Sequence, residues 1–322
     1  MLLFFAANLF LGSVKIPARE VFHILTGGGC THDAWSFIVL SSRLPQAVTA
    51  LLCGMSLAAA GLILQTAFRN PLAGPEVLGI NSGASLGVAV VMLLFGGQIA
   101  GSSFSTGVSL SVMAGGFLGA MVVMGLILFF STFIASSVML LIVGLSISYL
   151  TSSFVSLLNY FSTAEGVHSY MIWGMGNFGG VSTDELPLFV AASGVGILLS
   201  LLLMKPLNAL LLGDSYAANL GVNVHRTRVL LLITTGLLTA VATAFCGPIA
   251  FLGLAVPHIA RLLLGSNDHR RLLPATLLMG GTIALLCNLV CQLPGESGLI
   301  PLNAVTPLIG APVIIYVIVK RR

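Results

Sequence analysis

Hydrophobic residues in this chain come in long runs rather than in alternation, and polar residues collect in short joints, many broken by Gly or Pro. Windows of about nineteen residues mark ten apolar stretches: 2–11, 45–67, 77–95, 108–130, 138–160, 186–204, 229–246, 251–264, 273–291 and 305–319. Such runs, rich in Leu, Val, Ile, Ala and Gly, predict helices that cross a membrane; strands of an outer-membrane barrel would be about ten residues long and alternate in polarity. In hydrocarbon every backbone N–H and C=O must find a partner inside the protein, and a helix supplies it within one segment. The expected fold is all-α: a polytopic membrane bundle of about ten transmembrane helices, a single domain over 1–322.

Two stretches are short. The eighth is interrupted by Pro257, which is expected to break or kink it, so a count of nine or eleven stays open. The first, at about 1.5 Å per residue, reaches about 16 Å against a hydrocarbon core of about 30 Å, which leaves room for residues ahead of Met1. That end also lacks the basic segment of a secretory signal peptide.

Composition agrees with the pattern: 57% of the 322 residues are hydrophobic and 7% charged, too apolar for a soluble domain of this length. Charge then sets orientation. Ten of the 13 Lys and Arg residues (Arg69, Lys205, Arg226, Arg228, Arg261, Arg270, Arg271, Lys320, Arg321 and Arg322) fall on one side if the spans alternate. Only Lys15, Arg19 and Arg43 fall on the other, with most of the acids, among them Glu20, Asp33, Glu165, Asp184, Glu185 and Glu296. Lys and Arg accumulate on the cytoplasmic side, so both termini are expected there. The net charge of +4 reports orientation in the membrane, not nucleic-acid binding.

No Gly-x-x-x-x-Gly-Lys-Ser/Thr loop is present, so ATP-driven work must come from a partner. Metalloprotease and serine-hydrolase motifs are also missing, and the deep parts of the spans hold almost no ionisable groups, which argues against proton coupling and against an intramembrane enzyme. A secondary transporter coupled to sodium through backbone carbonyls stays open. Cys53, Cys246, Cys287 and Cys291 sit in apolar stretches and read as small hydrophobes; Cys30 is alone in an outside loop, so no intramolecular disulfide is implied. The largest polar excursion, 205–228, holds two short helices broken at Gly213, with Asp214 placed to cap the second and Gly221 to stop it. Such a pair lies on headgroups or inserts into a partner's groove.

Several blocks, in order along nearly the whole chain, resemble the FecCD-type permeases, the membrane subunits of type II ABC importers. They are Arg43-Leu-Pro45, Gln65 with Arg69-Asn-Pro-Leu-Ala73, and Leu78-Gly-Ile-Asn-Ser-Gly-Ala84. Leu212-Gly-Asp-Ser-Tyr-Ala-Ala-Asn-Leu-Gly-Val222 is similar to that family's coupling loop, and Gly247-Pro-Ile-Ala-Phe-Leu-Gly-Leu-Ala-Val-Pro-His-Ile-Ala-Arg261 with Asp268-His-Arg270 to its most recognisable segment.

The resemblance implies the type II importer permease fold as a homodimer in the bacterial inner membrane. Two cytoplasmic ATPase subunits, which bind the ATP and magnesium, lie below, and a periplasmic or lipid-anchored binding protein delivers substrate from above. The chain itself is then not an enzyme and holds no cofactor or metal. Asp214, Ser215, Ala217, Ala218, Leu220 and Gly221 would contact the ATPase; Asn70, Leu72 and Ser137 match a cytoplasmic gate, although a Pro-containing turn and a polar helix start explain the same residue types. Arg43 would dock the binding protein. The expected cargo is a metal chelate, a ferric siderophore or haem, with cobalamin the alternative.

The sequence departs from the family on the outside face. A frequent second Arg is Gln46 here, a later one is Gln292, an Asp common in the ninth span is Asn288, and Glu-Leu-Pro-Val-Gly before the last span reads Leu299-Ile-Pro-Leu-Asn303. Charge-assisted pairs are about twice as strong as neutral hydrogen bonds, so docking is expected to be weaker electrostatically or to use other contacts. His23, His32, His168, His225, His258 and His269 lie toward the two faces and read as solvated side chains rather than haem ligands. Met139, Met171 and Met175 fit ordinary packing. Gly115, Gly116 and Gly119 permit a close helix crossing, inside one subunit or across the dimer.

Overall fold

The computed structural model describes residues 1–28, 32–95, 106–134, 136–293, 298 and 300–320; Cys30 and Glu296 lie outside them. Among the described residues there are fourteen helices and no strand. A short α1 (Leu2–Phe10) and α2 (Ala18–Leu25) precede the long α3 (Asp33–Ala67), which includes a π-helical stretch at Ile38–Arg43. Next come α4 (Ile80–Ala89), ending in a π-helical turn at Val90–Phe95, α5 (Thr106–Phe133), α6 (Ser137–Phe161) and α7 (Ala164–Gly174). After α8 (Leu186–Leu202) the chain bends by 48° into α9 (Met204–Leu211) and then α10 (Asp214–Asn219). The last four are α11 (Val224–Cys246), α12 (Leu252–Leu264), α13 (His269–Cys291) and α14 (Leu302–Lys320).

Each of the ten apolar stretches holds a helix, and five helices meet the length and hydropathy needed to cross a membrane on their own. The amphipathic α2 and the largely exposed α7 lie outside those stretches. Pro257 does not interrupt the eighth: α12 runs through it from Leu252 to Leu264. A proline in a helix leaves the carbonyl four residues earlier without its usual donor, here that of Gly253. That carbonyl lies against Gly61 of α3, where an added Cβ would come within 1.7 Å of it. The break in the ladder is therefore spent on a close helix contact rather than on a kink that ends the helix.

The hub of the bundle is α3, which packs against α8, α11, α12 and α13. Its middle is made of small side chains, and Ala58, Ala59 and Ala60 are fully buried there. Gly54 of α3 faces Gly280 of α13 so closely that a Cβ on either would meet the other's carbonyl oxygen at 2.3 or 2.4 Å. A second such seam joins α4 to α5: a Cβ on Gly119 would sit 2.2 Å from the Gly83 carbonyl, and one on Gly87 would sit 2.0 Å from that of Gly115. Gly116 meets Ala244 of α11. The glycine pattern of the fourth stretch thus packs inside the subunit. Because lipid tails are as apolar as leucine, such close backbone approach is a main source of cohesion between membrane helices.

The ends are fixed by local chemistry. Ser136, Thr163, Asn223 and Asp268 cap α6, α7, α11 and α13 through their side chains, and Ser182 and Glu185 exchange hydrogen bonds ahead of α8 as a capping box. Replacing Gly119 with Val should lower stability by about 1–3 kcal/mol through overpacking, read as a lower melting temperature in detergent. Gly125→Ala, on the same helix with nothing within 4 Å of the added Cβ, should be neutral or stabilising by up to about 1 kcal/mol.

Candidate transport path and coupling end

One end of the bundle gathers the basic residues and the two short helices. Here α9 buries Leu207 and Leu210, and α10 buries Ala217, against Ile63 of α3 and Leu231 of α11. Gly221, at φ 82, stops α10: its N–H donates to the Ala218 carbonyl and that of Val222 to Ala217, the paired bonds of a glycine-ended helix. Asp214 does not cap α10, whose start is Gly213 with no side-chain cap. Its carboxylate instead accepts from Arg69 (2.5 Å) and Arg228 (3.3 Å), tying α10 to the turn after α3 and to α11. The two cations outcompete a local backbone N–H because charge-assisted bonds are the stronger ones.

Of the residues expected to meet an ATPase, Ser215, Ala218, Leu220 and Gly221 are exposed. Ala217 is instead fully buried on the inner face of α10, where a short helix has only one side free. The sequence reading passed over Tyr216, which projects at 67% exposure beside Leu220 at 64%. The turn between α3 and α4 is held from several sides. Asn70 Oδ1 accepts from the Leu72 N–H, Leu72 is half exposed, and Arg69 takes a left-handed φ of 46°. His258 Nε2 donates to the Pro71 carbonyl (2.8 Å), and Arg261 donates to Gln65 (2.5 Å). Thr66, His269, Asn208 and Asp268 continue the network from α3 through α13 to α9. The Arg270 backbone N–H, then the Asn208 amide, hold the Asp268 carboxyl below its ordinary value. Ser137 opens α6, with its side chain outside the described residues.

At the opposite end Arg43 is 5% exposed and is not presented for docking. Its guanidinium donates to the carbonyls of Leu9 (3.0 Å) and Phe10 (3.1 Å) and to that of Val14, so it ties down the open end of α1 and the joint that follows. Carbonyls at a helix C-terminus carry partial negative charge, which a cation offsets. The departures at 46, 288 and 292 prove to be neighbours. Gln46 donates to Asn288 (3.0 Å), Gln292 donates to Gln46 (3.3 Å), and Asn288 donates to Asn8 of α1 (2.7 Å). The three positions thus form one chain of neutral amides that joins α3, α13 and α1.

Helix α6 packs on α4 and α5 and leaves about half its circumference open. That open half divides into two stripes. Leu150, Phe154, Leu157 and Phe161 form an apolar one; Ser146, Tyr149, Ser153, Ser156 and Tyr160, spaced 3, 4, 3 and 4 residues apart, form a hydroxyl one. The serines donate back to carbonyls four residues earlier, which lowers the cost of an apolar setting but leaves their acceptor sites and the exposed tyrosines bare. Polar residues on membrane helices face the bundle interior or water.

Next to this stripe, past Ser152, is a cavity of about 380 Å³. Its floor is the broken segment between α11 and α12. Asn303, at the start of α14, donates to the Pro248 and Gly174 carbonyls (2.6 and 3.0 Å) and accepts from the Ala250 N–H (3.2 Å). Glu76 accepts from the N–H of Phe251 (2.9 Å), a residue in the left-handed region at φ 69. Two side chains thus hold a three-way junction whose backbone groups no helix satisfies. Burial pushes the Glu76 carboxyl up, against the opposing Phe251 bond.

A multi-span bundle with a hydroxyl-lined open face and paired surface helices at its basic end is the membrane subunit of a transporter. The chain belongs to the FecCD transport family, whose model matches residues 1–320. It is 34% identical over 304 residues to the vitamin B12 import system permease protein BtuC of Citrobacter koseri, covering 91% of this chain and 89% of that protein. The protein of the same name from Klebsiella pneumoniae is 36% identical over 280 residues, 87% of this chain and 82% of that one. An ABC transporter described as of the metal-chelate type, in an inward-facing conformation, superimposes with a TM-score of 0.85 at 30% identity, over 99% of this chain and 96% of that one. PsaBC from Streptococcus pneumoniae, at TM-score 0.55 and 17% identity over 85% of this chain and 90% of that one, shares the fold.

Gln46→Arg or Asn288→Asp alone should lower the melting temperature, a loss of about 1–3 kcal/mol. The double variant should lose less than the sum, with a coupling of about 0.5–3 kcal/mol, because each charge then has its partner.

Proposed function

We propose that two copies of this chain form the inner-membrane path of an ABC importer and that bulky metal-chelate cargo moves along the hydroxyl stripe of α6. The observation that carries this reading is the stripe itself. Five hydroxyl side chains lie in register on the open face of a spanning helix, where lipid would leave them poorly solvated. Water and a partner copy supply a better setting. With the basic end in the cytoplasm, α9 and α10 face two separate ATPase subunits, and Ser215, Tyr216, Ala218, Leu220 and Gly221 form the contact. A delivery protein on the far side brings the cargo.

Asp214 then acts as the transmission point. It links α10 to Arg69, next to the Asn70–Leu72 turn, so a shift of α10 on ATP binding moves the turn that closes the path. The bundle alternates between two packings, and the ATPase biases which is occupied. Relatives named for vitamin B12 import, about a third identical over most of their length, favour cobalamin as the first cargo to try. The likeness to a transporter described as metal-chelate type supports ferric siderophores and haem as the second class.

The test is ATP-dependent uptake into proteoliposomes holding this chain with its ATPase, with cobalamin, a ferric siderophore and haem each offered on a delivery protein. Uptake of one of them is expected. Asp214→Ala should change melting by less than about 1 kcal/mol, as befits an exposed pair, yet lower the cargo moved per ATP severalfold. No uptake of any chelate while ATP is hydrolysed, or an unchanged ratio in Asp214→Ala, would overturn the reading.

A further inference from the structure

The cavity beside α6 is chemically one-sided. Its described wall carries the Glu76 carboxylate and no Lys, Arg or His; the other polar groups are neutral, among them Ser82, Ser85, Ser152 and Tyr170. One Glu76 oxygen takes the Phe251 N–H, and the other has no hydrogen-bond partner among the described residues. Tyr170 is bonded to Ser85, which leaves Ser82 and Ser152 to meet a guest. At about 100° per residue around a helix, Ser152 lies at the edge of the hydroxyl stripe on the cavity side, so the cavity adjoins the open face of α6 at the level of Ser153 and Ser156.

We propose that this cavity is a cation-favouring side chamber of the import path, which takes neutral or positively charged organic ligands, alkylammonium groups above all, and holds anionic chelates off. The proposal rests on α6 being a wall of the path. A carboxylate whose described cavity wall holds no base attracts cations. Corrinoids and hydroxamate chelates of zero or positive net charge would pass it, and triply anionic tris-catecholate iron complexes would be disfavoured. Since burial raises the Glu76 carboxyl, the preference should strengthen as pH rises through its shifted value. Among the described lining residues Tyr170 is the other titratable group, and burial raises its phenol; Tyr149 and Tyr160 on α6 and Glu165 and His168 on α7 share those elements but are not part of the lining.

Charge at the site can be read without knowing the cargo. In the assembled importer in nanodiscs, a cysteine at Ser82 (S82C), or at Ser152 (S152C) if that variant does not fold, is modified by a trimethylammonium methanethiosulfonate and by its sulfonate counterpart. The chain without the added cysteine serves as the blank. The ratio of the two rates at one pH cancels the thiolate fraction. It should exceed the ratio at Y160C, which sits on the stripe away from the cavity, by about tenfold. Glu76→Gln should bring it down to the Y160C value. A ratio unmoved by Glu76→Gln, or a site that neither reagent reaches, overturns the chamber. Modification of S82C by the cationic reagent should also stop cobalamin uptake; continued uptake would overturn the chamber's place on the path. Absence of ATP-dependent uptake by the unmodified importer would sink the functional reading, while the rate ratio still decides the charge of the cavity.

Discussion

Close backbone contact between glycines is the constraint on which the rest of this structure depends. In water, apolar side chains would drive the helices together; in hydrocarbon that drive is absent, and cohesion comes from how near the backbones can come. Gly54 against Gly280 and Gly61 against the carbonyl of Gly253 let α3 serve four helices at once. Gly83 and Gly87 against Gly115 and Gly119 do the same for α4 and α5. With the packing concentrated on α3 and on the α4–α5 seam, α6 is left attached along one side only, and its other side is free to carry hydroxyls.

Several polar clusters sit where the helical backbone is broken. At the basic end the chain leaves α3 after Ala67 and re-enters a helix at Ile80, and in that turn the Pro71 carbonyl is met by His258 and the Leu72 N–H by Asn70. Midway, the joint between α11 and α12 is held by Glu76 and Asn303. At the opposite end the exposed carbonyls of α1 are met by Arg43. In each case a polar side chain sits where it does because hydrocarbon leaves no other partner for a free N–H or C=O. The Asp214 bridge differs: it is half exposed and links α10 to the turn after α3 and to α11 through charge rather than through a free backbone group.

The spans were legible because their length and composition follow from the solvent, and so were the two short helices broken at Gly213 and the stop at Gly221. What the one-dimensional reading missed was pairing. Gly115 and Gly119 announced a close crossing without naming α4 as the partner. Gln46, Asn288 and Gln292 read as three separate departures, and only their contact shows them to be one chain of amides. Arg43 stood near an outside loop and read as a docking charge, because nothing in the sequence says that the end of α1 folds back over it. Glu76 drew no expectation from the sequence, because its partner, the Phe251 N–H, is 175 residues away. Asn303 stood in the sequence only as one departure from the family pattern, and its three backbone partners make it a clamp.

The claim that most needs a direct test is that the open face of α6 is wet along its hydroxyl stripe and dry beside it. Single cysteines placed from 145 to 161 in the reconstituted importer, each exposed to a membrane-impermeant thiol reagent, give that answer residue by residue. The account predicts fast labelling at 146, 149, 153, 156 and 160 and slow labelling at 150, 154, 157 and 161. Fast labelling of the apolar stripe, or no difference between the two, would contradict it.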